Sequence, residues 1–491
     1  MKLMELLRNC PVRNIHGNKD IDLHGLHYDS RKVERDDAFF ALRGVVSDGH
    51  DYIASAIANG ARVLFCEEQP KQVEAVTTVL VDNARRAMAL VSAEFYGNPT
   101  RDMQTVGITG TNGKTTITYL LEAILGEAGL SPAVIGTINY RFGNDLRQAP
   151  HTTPEALDLM KQVSDFRRNG ARSLVMEVSS HALEQHRADG VRFQVGVFTN
   201  LTPEHLDYHL NMESYFTSKS HLFRELLPRD SGRAVINVDD VYGRRLAAML
   251  PSALTCGRSE GADIHPESVE ISLTGIRGSV ATPLGTVAVD SPLLGDFNVE
   301  NLLCAIGAAV ALDVSPREIA AGINAAKGVP GRLEQVENDR GAVILVDYAH
   351  TGDALRRVLE ALQKLSPQRI LTLFGCGGDR DRSKRPIMAE VAARGSDIAI
   401  ATSDNPRTEK PQQILDDVRV GLARVYEREW SRTDAMSGTG RGYVVIEDRR
   451  EALEFAVSLL RPKDLLLVAG KGHEDYQILA NGRIHFDDRE E

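Results

Sequence analysis

Thr105-Val-Gly-Ile-Thr-Gly110-Thr-Asn-Gly113-Lys-Thr-Thr116 is the stretch on which the reading of this chain turns. Thr105–Thr109 is a short, mostly apolar run suited to a buried strand. From Thr115 to Ala128 apolar residues recur at helical spacing until Gly129 stops them. The strand and helix are joined by Gly110, Thr111, Asn112, Gly113 and Lys114, with Thr115 and Thr116 in the first turn. Glycines let backbone N–H groups approach phosphate oxygens. The helix start adds partial positive charge, Lys114 supplies a full one, and the Thr115 hydroxyl suits Mg²⁺. The general phosphate-loop pattern asks for glycine five positions before Gly113, where Ile108 stands, so the match is to a shorter form flanked by Gly107 and Gly110. A glycine turn capping an ordinary helix is the alternative; it has no use for the lysine and two threonines.

Outward from this loop, segments of strand and helix character alternate, which predicts an α/β protein with largely parallel sheets. Breaker clusters at Gly97-Asn-Pro99 and Val329-Pro-Gly331 divide the 491 residues into segments 1–99, 100–330 and 331–491. The expected architecture is three domains. The central one is a P-loop ATPase-type, parallel-rich sheet, and the last is doubly wound (Rossmann-like), with its ligand loops after Phe374, Thr402 and Val468.

Composition sets outer limits. Hydrophobic residues are 42% and charged residues 25%, values of an ordinary globular protein. Net charge is −11, which disfavours a nucleic-acid surface but not anionic small substrates. Cys10, Cys66, Cys256, Cys304 and Cys376 are scattered and form no CxxC pair, as expected of free thiols in a reducing compartment. Met1 to Cys10 lacks a signal-peptide pattern, and no apolar run approaches the roughly 18 residues of a membrane span. A cytoplasmic monomer is expected.

Other segments carry chemistry less specifically. The apolar strand Ser173–Val178 contains Glu177, a candidate Mg²⁺ ligand or an edge carboxylate facing solvent. Strand Val195–Asn200 leads to His205, Asp207 and His209, a spacing open to a metal or phosphate role but equally to a solvated polar loop. Arg380, Arg382, Lys384 and Arg385 follow Gly375-Cys-Gly-Gly378 as either a solvated charge run or a ligand loop. Asp404-Asn405-Pro406-Arg407 offers a guanidinium fork suited to a carboxylate, with Asp404 available to orient it or face an ammonium group.

The segments T-G-T-N-G-K-T-T, M-E-V-S-S-H and F-T-N-L-T-P-E-H-L-D-Y-H, in this order and spacing, resemble the Mur ligase family, whose members add amino acids to UDP-muramoyl peptides. The resemblance implies ATP as co-substrate and Mg²⁺ as cofactor. Thr115 and Glu177 would serve one ion and His205 a second, with Lys219 carrying a CO₂-derived carbamate; read unaided, Lys219 is a helical surface lysine. Lys114, His205 and Lys219 would be the catalytic residues. Asn298 and Asn301, in Gly295-Asp-Phe-Asn-Val-Glu-Asn301, would meet the adenine, although Asn298 is also a natural helix cap. Arg332 would meet the ribose or phosphates and Asp347 the ribose hydroxyls. Ser30, within Asp29-Ser-Arg31, matches a uridine-diphosphate contact. His151, Thr152, Thr153, Ser179, Gln185 and Arg187 match contacts to the muramoyl dipeptide, with the departure that many members have Asn where His151 stands.

Within the family, D-N-P-R at this place marks the ligases that add meso-diaminopimelate. Asp404, Asn405, Pro406 and Arg407, with Arg385, Gly470 and Glu474, would hold that amino acid, whose two carboxylates and two ammonium groups ask for arginines and a glutamate. The implied reaction joins meso-diaminopimelate to UDP-N-acetylmuramoyl-L-alanyl-D-glutamate through an acyl phosphate, in peptidoglycan precursor synthesis. A ligase adding lysine or glutamate, a nucleotide-binding regulator without activity and a P-loop kinase are the rival readings.

Overall fold

The computed structural model describes all residues except 45–46, 72–75 and 438–439, and only the backbone of Asp207. The chain forms two compact units. One comprises Met1–Glu267, Ser279–Ala288 and Glu300–Ala325; the other comprises Ser268–Gly278, Val289–Val299 and Ala326–Glu491.

The first unit holds two sheets. A five-stranded sheet has the order Asn14–His16, Thr77–Leu80, Val63–Cys66, Ala38–Phe40, Leu26–His27 and is parallel apart from the first strand. Its core of Leu, Val and Phe side chains continues into Ala156 and Leu157 of the helix Ala156–Arg168. An eight-stranded sheet has the order Leu254–Cys256, Arg233–Asn237, Val195–Phe198, Gln104–Thr109, Ser173–Glu177, Pro132–Ile135, Asn139–Phe142, Asp145–Gln148. The first six strands are parallel and the last two antiparallel. Gln104–Thr109 lies inside the parallel part and is buried from Thr105 onward, which is why its sequence runs apolar without alternation.

The second unit is built on a six-stranded sheet in the order Glu334–Val336, Val343–Asp347, Leu465–Ala469, Ile370–Cys376, Ile398–Ser403, Gly442–Val445. Only the first pair is antiparallel. Separate apolar clusters cover it, one including Leu355, Met388, Ala392 and Leu415, the other Leu453, Phe455 and Phe486. The chain passes from Val343–Asp347 over Leu465–Ala469 to Ile370–Cys376, the crossover of a doubly wound sheet. The loops after Cys376, Ser403 and Ala469 leave the carboxyl ends of three adjacent strands, where such folds bind ligands.

All five cysteines are buried and unbridged; the sulfurs of Cys256 and Cys304 are 3.5 Å apart. Among the described residues no helix is long and apolar enough to cross a membrane.

Candidate active site

Strand Gln104–Thr109 delivers the chain to Gly110, and helix Lys114–Glu127 begins four residues later. The turn requires its glycines. Gly110 has φ 145°, and a Cβ there would sit 1.9 Å from the Thr199 hydroxyl. Gly113 has φ 89°, and a Cβ there would sit 2.2 Å from the Asn301 Oδ1. Neither position admits a side chain. Thr111 and Asn112 are tied to the neighbouring strand end: Thr111 N donates to the Asn200 carbonyl at 2.9 Å, and Asn112 N to Asn200 Oδ1 at 2.9 Å. Lys114 Nζ folds back on the carbonyls of Gly110 and Thr111, at 2.9 and 2.8 Å.

Two groups flank this loop. On one side Thr115 Oγ1 donates to Glu177 Oε1 at 3.0 Å. Glu177 is fully buried and also accepts from the Thr137 N–H at 2.9 Å and the Thr137 hydroxyl at 3.0 Å. A buried carboxylate and a hydroxyl, both oxygen donors beside a phosphate loop, fit Mg²⁺. Glu177 is thus the buried strand-end group, not a solvent-facing edge residue.

On the other side, helix Met212–His221 carries Lys219, which is buried rather than on the surface. Its Nζ donates to the Gly110 carbonyl at 2.8 Å and stands over the Tyr215 ring. Burial first, and the neighbouring Lys114 second, hold its pKa well below the usual lysine value. A neutral amine is the form that adds CO₂, and the carbamate converts a nitrogen donor into an oxygen ligand.

His205 sits just before the short helix Leu206–His209 in the left-handed region, φ 56°, its ring 5.0 Å from that of His181. His209 is buried, with Nε2 2.9 Å from the Ser180 hydroxyl, which makes it a packing residue.

Of the residues matched to the muramoyl dipeptide, all but His151 are linked by hydrogen bonds through Thr137 and Glu177. Thr153 Oγ1 donates to the Glu177 carbonyl and accepts from Ser179 N. Arg187 donates to the Thr153 carbonyl at 3.1 Å and to Gln185 Oε1 at 2.7 Å; Thr152 and Thr137 hydroxyls are 3.1 Å apart. Glu155 then links Arg187, at 3.0 Å, to Arg85, at 3.2 Å. Arg85 and Glu155 help line a cavity of about 680 Å³ with Asp29, Ser30 and Arg31. Arg31 is folded onto Asp29. His151 is exposed, and its carbonyl accepts from the Tyr140 hydroxyl.

On the helix Phe297–Ala311, Asn298 Nδ2 donates to the Leu294 carbonyl at 2.7 Å, while Asn301 packs against Gly113. In the second unit Asp347 is buried and accepts from Leu333 N and Ala349 N, each at 2.8 Å; burial raises its pKa despite Arg332 nearby. Arg332 lies over the Tyr348 ring.

The loop Asp404–Arg407 is stitched to the segment after Ala469. Asn405 Nδ2 donates to Glu474 Oε2 at 3.0 Å and its Oδ1 accepts from Ile478 N. Gln477 Nε2 donates to the Asp404 carbonyl at 2.7 Å. Arg407, at φ 54°, donates to the Gly378 carbonyl at 2.7 Å, and both it and Arg380 lie against Gly377. Gly470 has φ 116°. Lys471 was not singled out from sequence. It is fully buried, 3.2 Å from Glu474 and 3.8 Å from Asp404; its only signal was a lysine between two glycines at a strand end. Arg385 differs from Arg407 in surroundings. It is 2% exposed and held by Glu409 at 2.7 Å and Asp417 at 2.9 Å, so its charge is already balanced.

Residues 108–309 match the Mur ligase middle domain, residues 331–472 the Mur ligase glutamate ligase domain, and residues 22–96 the Mur ligase family catalytic domain. This chain is a Mur ligase. Among relatives, this Mur ligase is 51% identical over 497 residues to the UDP-N-acetylmuramoyl-L-alanyl-D-glutamate--2,6-diaminopimelate ligase of Geobacter metallireducens, covering 100% of this chain and 97% of the relative. It is 45% identical to the protein of the same name from Gloeobacter violaceus, again over 100% and 97%. A solved structure of a ligase of that name superposes with TM-score 0.72 at 32% identity, over 99% of this chain and 97% of the other. MurF from Acinetobacter baumannii shares the fold, with TM-score 0.64 at 21% identity over 95% of both chains.

Proposed function

We propose that this Mur ligase joins meso-diaminopimelate to UDP-N-acetylmuramoyl-L-alanyl-D-glutamate in the cytoplasm, consuming ATP, as a monomer. The reading is supported by the full-length likeness to ligases of that name. The observation that carries it is the pair of groups flanking one phosphate loop: Thr115 with Glu177 on one side, and on the other a buried lysine whose surroundings favour the neutral amine.

The γ-carboxylate of the D-glutamate attacks the ATP γ-phosphorus, and ADP leaves. An amino group of diaminopimelate then attacks the acyl carbon of the resulting acyl phosphate, and phosphate departs as the amide forms. The first step brings anions together. Lys114, the N–H groups from Gly110 to Thr116 and the helix start offset that repulsion. Thr115 and Glu177 would hold one Mg²⁺, and His205 with a Lys219 carbamate a second; bound there, the ions would neutralise charge on the phosphates. Asn298, Asn301, Arg332 and Asp347 orient the nucleoside. Ser30, His151, Thr152, Thr153, Ser179, Gln185 and Arg187 hold the nucleotide-sugar peptide. For diaminopimelate, Arg407 receives a carboxylate, Glu474 and Asp404 face the ammonium end, Asn405 and Pro406 fix the loop, Gly470 leaves room for the backbone, and Arg385 anchors Glu409 beneath them.

The test is amide formation by the purified protein with ATP, Mg²⁺ and the UDP-muramoyl dipeptide, offered meso-diaminopimelate, L-lysine or L-glutamate separately. Product is expected with meso-diaminopimelate. Preference for lysine would overturn the substrate assignment, and ATP binding without amino-acid-dependent ADP release would overturn the ligase reading.

A further inference from the structure

A cluster outside the nucleotide loop remains unused by this chemistry. Helix Ser180–Glu184 gives way at Gln185 to His186, which adopts φ 55°, a conformation unfavourable for a residue with a side chain. His186 Nδ1 lies 2.9 Å from one oxygen of Asp189. His221, 32 residues beyond Asp189, ends helix Met212–His221 and brings Nε2 to 3.2 Å from the other oxygen. The imidazoles stand nearly perpendicular, at 84°. One donor atom from each residue lies within 4.8 Å of the others. The Asp189 carboxylate is 5% exposed and the imidazoles 25% and 23%, so the group is sheltered yet reachable. A competitor is present: Arg86 of helix Ala84–Phe95 approaches Asp189 at 3.6 Å, but its side chain is 53% exposed and can swing to water. Just past His221 the chain enters a π-helical turn, Leu222–Leu226, a geometry concentrated at functional sites.

We propose that His186, Asp189 and His221 form a site for one divalent transition-metal ion of the zinc class, separate from the Mg²⁺ donors at Thr115 and Glu177. Two imidazoles and a carboxylate are a nitrogen-rich donor set suited to Zn²⁺, Co²⁺ or Ni²⁺, whereas Mg²⁺ prefers a shell made mostly of oxygen. Three protein ligands leave a fourth position for water. An ion here ties the segment carrying Gln185 and Arg187 to the helix carrying Lys219, and so holds two parts of the first unit at a fixed spacing.

The experiment uses the full chain, stripped of metal by a chelator and free of nucleotide. It is titrated with Co²⁺ while visible absorption and binding heat are recorded. The expected result is one Co²⁺ per chain with the intense bands of a four-coordinate site, displaced by Zn²⁺ but not by excess Mg²⁺. His186→Asn and His221→Asn each weaken binding more than about 100-fold, beyond what losing a second-shell partner costs. Arg86→Ala, which removes the competing cation, tightens it. Circular dichroism and ATP binding verify that each variant is folded. The proposal is overturned if wild type binds no more Co²⁺ than the double variant His186→Asn/His221→Asn, if Mg²⁺ displaces the ion, or if thiolate charge-transfer bands show it on cysteine.

Discussion

The glycine loop Gly110–Thr116 of the first unit and the loops around Asp404–Arg407 of the second hold charge by different means. Gly110 to Thr116 works through backbone: glycines that nothing can replace, N–H groups and a helix start, with Lys114 resting on its own carbonyls. The loops around Asp404–Arg407 work through paired side chains. Lys471 answers Asp404 and Glu474, Arg385 answers Glu409 and Asp417, and Asn405 bridges to Glu474. A backbone site is fixed by steric necessity and tolerates one ligand chemistry. A side-chain site is a balance of charges, and its specificity changes when one partner is exchanged. Differences in the added amino acid are therefore expected in the second unit.

The comparison breaks first at Lys114. Lys114→Ala should lower amino-acid-dependent ADP release by about 10³-fold, the upper end for losing one preorganised electrostatic partner; near-normal turnover would remove the loop from the chemistry. Lys219→Ala should cost about 10²-fold or more in the same assay and regain part of that with added short-chain carboxylic acids. Full activity without them would make Lys219 a packing residue.

In the second unit Arg385→Met should cost stability before specificity. Glu409 would lose its cation while Asp417 keeps Arg382 at 3.1 Å, and the unfolding free energy is expected to fall by about 3 kcal/mol, the low end for broken buried pairs because both carboxylates are partly exposed. Urea midpoints measure it. A selective rise in KM for diaminopimelate at unchanged stability would instead make Arg385 a direct ligand.

His473 gives the pH dependence. Burial first, and Arg332 second, lower its pKa from 6.5 to about 4. The unfolded chain therefore takes up the proton first, and stability falls as pH drops from 6.5 towards 4, by about 2 kcal/mol. His473→Gln should flatten this slope in urea titrations at pH 7.5 and 5.

The smallest effect is Arg407→Lys. Losing the planar fork should raise KM for diaminopimelate about tenfold while KM for ATP stays put. Equal changes in both would show that Arg407 only shapes the loop.

What was legible in the sequence follows the same division. Gly110, Gly113, Lys114 and Thr115 declared themselves because covalent geometry leaves few alternatives at such places, whereas Glu177 stayed open until its burial was seen. The parallel sheets were legible for the same reason, since strands buried on both faces read as apolar runs. The pairing of side chains was not. Nothing local distinguishes Arg385, sealed between two carboxylates, from Arg407, which rests on a carbonyl. The buried Arg449 passed unnoticed because its partner Asp488, at 2.7 Å, lies 39 residues on, and Lys471 because nothing local shows that it is fully buried. Lys219 read as a surface residue until the fold put it on the Gly110 carbonyl.

The turn at Gly113 has one more consequence. Every alternative residue carries a Cβ, and that carbon would collide with the Asn301 amide. A small molecule seated against this turn would meet a surface that point mutation cannot reshape without straining the turn and displacing the Asn301 amide. Drug resistance arising at this position would therefore be self-defeating.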